Sequence, residues 1–138
     1  MKNLARFKEK VNARNLLVQA MYEFSFGYND PKKIEDSFVK EFTKTKVDYI
    51  LFKNIFHHAV KNQKSIKERI YKHSDLEMFD IKKIDLMEEN ILILALSEHE
   101  LEQTEKNILI DEAVRLSKKY GSTNAYKFVN AALDTLLK

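Results

Sequence analysis

Cysteine is absent from this 138-residue chain, so no disulfide, thiolate metal site or thiol nucleophile is available. Turn-formers are nearly absent as well, with two glycines and one proline. β-Hairpins draw on glycine-containing turns. Their scarcity, with apolar residues recurring at helical spacing throughout, predicts an all-α fold. Long hydrophobic runs are missing too. The longest, Ile91 to Leu96, falls far short of the roughly 20 residues that cross a bilayer. The first residues also lack the apolar core of a signal peptide. The chain reads as cytoplasmic, with no membrane partner.

Further absences bear on chemistry. Gly27 and Gly121 lie too far apart to build a glycine-rich phosphate loop. No serine sits in a strand–turn–helix nucleophile setting. His57 and His58 are adjacent and point about 100° apart on a helix, so they cannot share a metal there. Glu98-His99-Glu100 lacks a second histidine at helical spacing. The expectation is a protein without catalytic residues, metal or cofactor. The carboxylate pairs Glu88-Glu89 and Asp111-Glu112 read as solvated helix faces.

What is present is charge, unevenly placed. The net charge is only +3, but residues 1–14 hold Lys2, Arg6, Lys8, Lys10 and Arg14 against Glu9 alone. The remaining 19 basic and 20 acidic groups leave the rest at −1. A basic end of this kind is an electrostatic footprint for nucleic acid, and equally a solvated terminus. Aromatic residues near it in sequence or motif, Phe7, Tyr22, Tyr126 and Phe128, are the kind on which unstacked RNA bases stack. Tyr22 and Phe128 also lie on or beside apolar stripes, where core packing is the competing explanation.

The apolar spacing divides the chain into about seven helices. The first runs from near Lys8 to Phe26 and buries Leu16, Leu17, Ala20, Met21 and Phe24. Asp30 and Pro31 cap and open the second. Thr45 and Asp48 open a third that buries Leu51, Phe52, Ile55, Phe56 and Ala59. Ser65-Ile-Lys-Glu68 has the capping-box pattern of a fourth. The polar stretch 73–83 marks a joint between subdomains at about 1–74 and 75–138. From Ile84 a fifth helix, apolar nearly all round, is expected to be central, with Glu88, Glu89, Glu98, Glu100 and Glu102 giving the second half an acidic face. Thr104 is placed to cap the sixth. Gly121, placed as a left-handed helix stop, and Ser122 or Asn124 as cap, lead into a seventh with the stripe Ala125, Phe128, Val129, Ala132, Leu133 and Leu136.

The order Asp111-Glu-Ala-Val-Arg-Leu-Ser-Lys-Lys-Tyr-Gly121, followed by Lys127-Phe-Val-Asn-Ala-Ala-Leu-Asp134, resembles the C-terminal signature of the NusB family. Asp111, Tyr126 and Ala131 stand where that signature has asparagine, histidine and glycine. Ala13-Arg-Asn-Leu-Leu-Val-Gln-Ala-Met-Tyr22 is similar to the family's N-terminal motif. The resemblance implies two three-helix subdomains packed across each other. It implies a non-catalytic transcription antitermination factor that binds single-stranded boxA RNA with NusE, a small-subunit ribosomal protein, within an RNA polymerase complex that supports ribosomal RNA transcription. It places the family's basic cluster on Lys10, Val11, Asn12 and Arg14, of which Lys10 and Arg14 keep the charge. Arg6 and Lys8 lie just upstream. Asn124 stands where the family often has an acid. The candidate RNA-binding residues are thus Lys2, Arg6, Lys8, Lys10, Arg14, Asn124, Tyr126, Lys127 and Phe128, and Glu88 is the candidate NusE contact. Some proteins resembling this one form homodimers that hide the RNA surface, so the oligomeric state stays open. The rival reading is a helical protein–protein adaptor that binds no RNA.

Overall fold

The computed structural model describes residues 2–138, without the side chains of Lys2, Asn3 and Val39. Those residues form helices α1 (Lys2–Ser25), α2 (Pro31–Ser37), α3 (Val39–Lys44), α4 (Tyr49–Lys61), α5 (Gln63–His73), α6 (Leu86–Glu102), α7 (Lys106–Tyr120) and α8 (Ala125–Leu136), with a 3-10 turn at Leu76–Phe79. The architecture is all-helical. The expected second helix is broken at Phe38 into α2 and α3.

Several predicted ends hold for the predicted reason. The Asp30 carboxylate accepts the Lys33 N–H at 2.9 Å, with Pro31 in the first turn. Asp48 accepts the Leu51 N–H at 3.0 Å and so opens α4. Thr45 instead closes the C-terminal end of α3. The expected capping box fails, because α5 starts at Gln63, before Ser65. Thr104 does not cap α7; its hydroxyl donates to Glu98 at 2.8 Å. Asn124, at the start of α8, is left-handed (φ 67°) and makes no side-chain cap.

The two glycines act differently. Gly27 is left-handed at φ 72°, with open space where a Cβ would sit, so conformation alone demands glycine there. Gly121 is not left-handed, contrary to expectation; its backbone is extended at φ −91° and ψ −175°. Its requirement is room. A Cβ would run into the Glu88 Oε1 atom and sit 2.7 Å from the Ser117 carbonyl oxygen.

Helix α6 is the hub. It packs against α1, α4, α5, α7 and α8, and residues 88–98 are all buried. Its neighbours supply Leu17, Met21, Phe52, Ile55, Phe56, Ile70, Leu109, Val129 and Leu133, all but wholly buried. Buried apolar residues from both sides of residue 75 join one continuous core. Helices α1 and α6 run antiparallel, with Arg14 against Glu98 near one end and Ser25 against Asn90 near the other. Helix α7 runs parallel to α1, from Glu112 beside Arg14 to Tyr120 beside Gln19.

Candidate nucleic-acid interface

Arg14, expected to grip a phosphate, is an interior residue with 5 % exposure. Its Nε and Nη2 donate to the two oxygens of Glu98 at 2.9 and 2.7 Å, and Nη1 donates to Glu112 at 3.0 Å. Glu112 also takes Arg115 at 2.6 Å, and Arg115 reaches back to the Asn15 side chain at 2.7 Å. Burial alone lowers the pKa of Arg14. The hydrogen bonds and charges of Glu98 and Glu112 overcome that effect and hold it above the ordinary value. Burial alone would likewise raise Glu112, yet Arg115 and Arg14 hold it below the usual carboxylate range. Three of its N–H groups are thus committed to interior carboxylates, which is a structural use of Arg14 rather than the exposed phosphate grip that was expected.

Two further candidates are buried rather than exposed. Glu88, expected on the NusE-facing surface, is 2 % exposed. Its Oε1 accepts the Ser122 backbone N–H at 2.7 Å and so pins the α7–α8 corner from beneath. Phe128, expected as a stacking ring, is 5 % exposed and sits edge-on to Phe79, with centroids 5.6 Å apart. The acidic face is likewise thinner than expected, because Glu89, Glu98 and Glu112 are buried along with Glu88. Two adjacent carboxylates on a polar-looking stretch cannot by spelling alone reveal that one of them points inward at a corner or a guanidinium.

The remaining basic candidates do reach solvent. Arg6, Lys8 and Lys10 are exposed on the first turns of α1, and Phe7 among them is 51 % exposed. They line two adjoining clefts that share Glu9: Arg6 and Lys10 with Val47–Ile50, and Lys8 with Thr45 and Lys46. The Lys2 side chain lies outside the described residues. At the α7–α8 corner Asn124 and Lys127 are exposed and Tyr126 is half-buried. Residue-by-residue reading missed Lys118 and Lys119 as ring partners here: the Lys118 ammonium lies 4.6 Å from the Tyr126 ring centroid, and Lys119 lies 5.3 Å from that of Tyr120. Cations and rings set together in this way suit a single strand, the cation for its phosphates and the ring for its bases. The basic turns and the corner are not side by side. Tyr120 meets α1 at Gln19, nine residues beyond Lys10, or about 14 Å along the helix axis.

Tyr22, Phe26 and Tyr28 make a further exposed feature, of which only Tyr22 was singled out from sequence. The Tyr22 and Phe26 rings meet edge-on with centroids 4.9 Å apart, and Tyr28 stacks on Phe26 at 6.5 Å with 7° between planes. A run of rings straddling a helix-stopping glycine was the available signal.

This geometry can be set beside known proteins. The model of the NusB family matches residues 11–138. The chain belongs to the NusB family. The transcription antitermination protein NusB of Aliarcobacter butzleri (strain RM4018) is 32% identical over 131 residues, covering 94% of this chain and 97% of that one. The Helicobacter pylori (strain Shi470) transcription antitermination protein NusB is 33% identical over 130 residues, covering 94% and 92%. Among solved structures, a crystal structure of the antitermination factors NusB and NusE in complex with dsRNA superposes with a TM-score of 0.76 at 26% identity, covering 91% of this chain and 93% of that one. The T. maritima NusB structure gives the same TM-score and identity, covering 91% and 88%. The family is one of non-catalytic antitermination factors, so this NusB-family chain is not an enzyme. No helix among the described residues is long and apolar enough to cross a membrane. Arg6, Lys8 and Lys10 precede the residues that the family model matches.

Proposed function

We propose that this NusB-family protein binds single-stranded boxA RNA together with NusE, joins an antitermination complex on RNA polymerase, and so supports ribosomal RNA transcription in the cytoplasm. The observation that carries the reading is the exposed basic start of α1, with Phe7 bare among Arg6, Lys8 and Lys10, on a fold that superposes with a NusB–NusE–RNA complex. Lysine and arginine on phosphates supply affinity without sequence choice, and exposed rings take unstacked bases. Lys118, Lys119, Tyr126 and Lys127 at the α7–α8 corner offer a second, separate set of contacts for the same strand. Two modest surfaces, one per protein, acting on one strand raise the effective concentration of the second contact.

Fluorescence anisotropy of a boxA-type RNA oligonucleotide, with NusE present and at several salt concentrations, tests this reading. Changing Arg6, Lys8 and Lys10 to alanine together should weaken binding. The slope of log affinity against log salt should fall by about 0.7 for each phosphate that is no longer neutralised, the single-strand value. Unchanged affinity and slope would mean that the basic turns are only solvated, and that the RNA surface lies elsewhere or is missing.

A further inference from the structure

We propose that the outer face of α4 carries RNA that flanks boxA on the same strand, holding its phosphates without reading its bases. The inference rests on the reading above, in which the start of α1 grips boxA RNA, and adds where the strand runs beyond it.

Composition comes first. From Tyr49 to Lys67 the chain holds four lysines and two histidines and no aspartate or glutamate. That stretch alone carries +4 in a chain whose net charge is +3. The helical period then sorts the charge onto one side. Leu51, Phe52, Ile55, Phe56 and Ala59 face the core. Ile50, Lys53, Asn54, His57 and Lys61 are exposed and fall within a strip about 100° wide. Lys53, His57 and Lys61 stand four residues apart, in steps of about 6 Å along the axis. Lys64, exposed in the first turn of α5, extends the row.

The surrounding charges leave the row cationic. None of Lys53, Lys61 and Lys64 makes an ion pair among the described residues. His57 Nε2 lies 3.5 Å from Glu35, which is 2 % exposed, so these two screen each other. On the α2 flank Lys32 and Lys33 are matched by Asp36, 3.0 Å from Lys32, and by Asp30, which caps the Lys33 N–H. In α3 Glu41 lies 3.9 Å from Lys44. At the opening of α4 the Asp48 carboxylate is turned onto the Leu51 N–H, and Glu9 is outnumbered by Arg6, Lys8 and Lys10. Glu68, one turn after Lys64, ends the row; Lys67 beside it is held by Glu89 at 3.4 Å.

Continuity selects the occupant. Ile50 opens this row and also lines the cleft that holds Arg6 and Lys10. A strand leaving that cleft along α4 therefore meets Lys53 and Lys61 over the next stretch of about 16 Å. Beyond Tyr49, α4 exposes no tyrosine or phenylalanine and one amide, Asn54. Lysines so placed neutralise phosphates, which sets affinity and not sequence. The occupant is thus RNA of any sequence next to boxA, not a second specific element.

The test uses the whole chain with NusE present. Fluorescence anisotropy compares a boxA oligonucleotide with the same element extended by an oligouridine tail, on the 5′ side or the 3′ side, at several salt concentrations. The proteins are wild type, Lys53→Ala/Lys61→Ala/Lys64→Ala, and Asn54→Glu, and thermal melts confirm that each is folded. One of the tails should tighten wild-type binding several-fold. It should also steepen the slope of log affinity against log salt by about 0.7 per phosphate held, or about 2 for three lysines. The triple variant should lose that gain and still bind bare boxA as wild type does. Asn54→Glu, which keeps every lysine, should lose part of the gain. A gain kept in full by the triple variant, or absent from wild type with either tail, overturns this inference and leaves the functional reading standing. A loss that falls equally on bare boxA makes the row part of the boxA site and overturns it as well. Weaker NusE binding by the triple variant in isothermal titration, with the tail gain unchanged, gives the row to a protein partner and likewise overturns the inference. If wild type with NusE does not bind bare boxA, the functional reading falls and this inference with it.

Discussion

At Arg14 the decision between function and structure turns on three hydrogen bonds. A residue that would have suited a phosphate meets Glu98 and Glu112 at 2.7 and 3.0 Å instead. Breaking a buried ion pair from one side strands the other charges without water. Arg14→Ala should therefore lower unfolding free energy by about 3–5 kcal/mol, read from urea denaturation, while leaving the salt slope of RNA binding as in wild type. Glu112 adds a pH signature. Its folded-state pKa is depressed below the ordinary 4.5. The stability it contributes is thus fully present above that value and is lost as pH falls through the depressed one. Wild type should exceed Glu112→Gln by a constant margin near neutrality, with the gap closing below about pH 4.5 in a series of denaturation midpoints. In sequence, Arg14 and these glutamates lie 84 and 98 positions apart. No local pattern can announce such a pairing, and the family motif carried the arginine without saying which way it faced.

Helices were far more legible than sites, and the reason is range. The apolar stripe of α4 (Leu51, Phe52, Ile55, Phe56, Ala59) is buried as its spacing predicted, and so is that of α8 apart from half-buried Ala125. Both depend on neighbours three and four residues away. Caps were mixed: Asp30 and Asp48 work locally, whereas Thr104 and Ser122 spend their hydroxyls on Glu98 and Asp85 from another turn or helix. Leu94→Ala, inside the central α6, should cost about 2–5 kcal/mol in the same denaturation assay. The glycines separate two mechanisms. Gly27→Ala meets open space and should cost only the left-handed penalty, about 1–2 kcal/mol. Gly121→Ala forces a methyl against Glu88 and the Ser117 carbonyl, an overpacking cost of about 1–3 kcal/mol. Adding Glu88→Ala should recover little of it, because the carbonyl remains and Ser122 loses its acceptor. A full recovery in thermal melts would show that the carboxylate alone forbids the side chain.

On the scale of the whole molecule, the parts that sequence could place least were the interior glutamates, where segments 84 and 98 residues apart meet at Arg14. They depend on how α1, α6 and α7 are laid side by side, which the period of any one helix does not encode. Their common support is α6, which touches helices from both ends of the chain.

That arrangement has a consequence for how the protein is made. Arg14 leaves the ribosome 98 residues ahead of Glu112. At translation rates of about 5–20 residues per second the wait is about 5–20 s. For that interval the nascent first half carries a guanidinium whose native surroundings would leave it in an apolar seam without a counter-charge. A docked α1 is costly until α6 and α7 arrive, so the early helices should stay open to solvent and to chaperones, and the chain should close late and all at once. A ribosome-stalled or purified fragment ending at residue 74 is expected to be cleaved readily by protease, whereas the full chain resists.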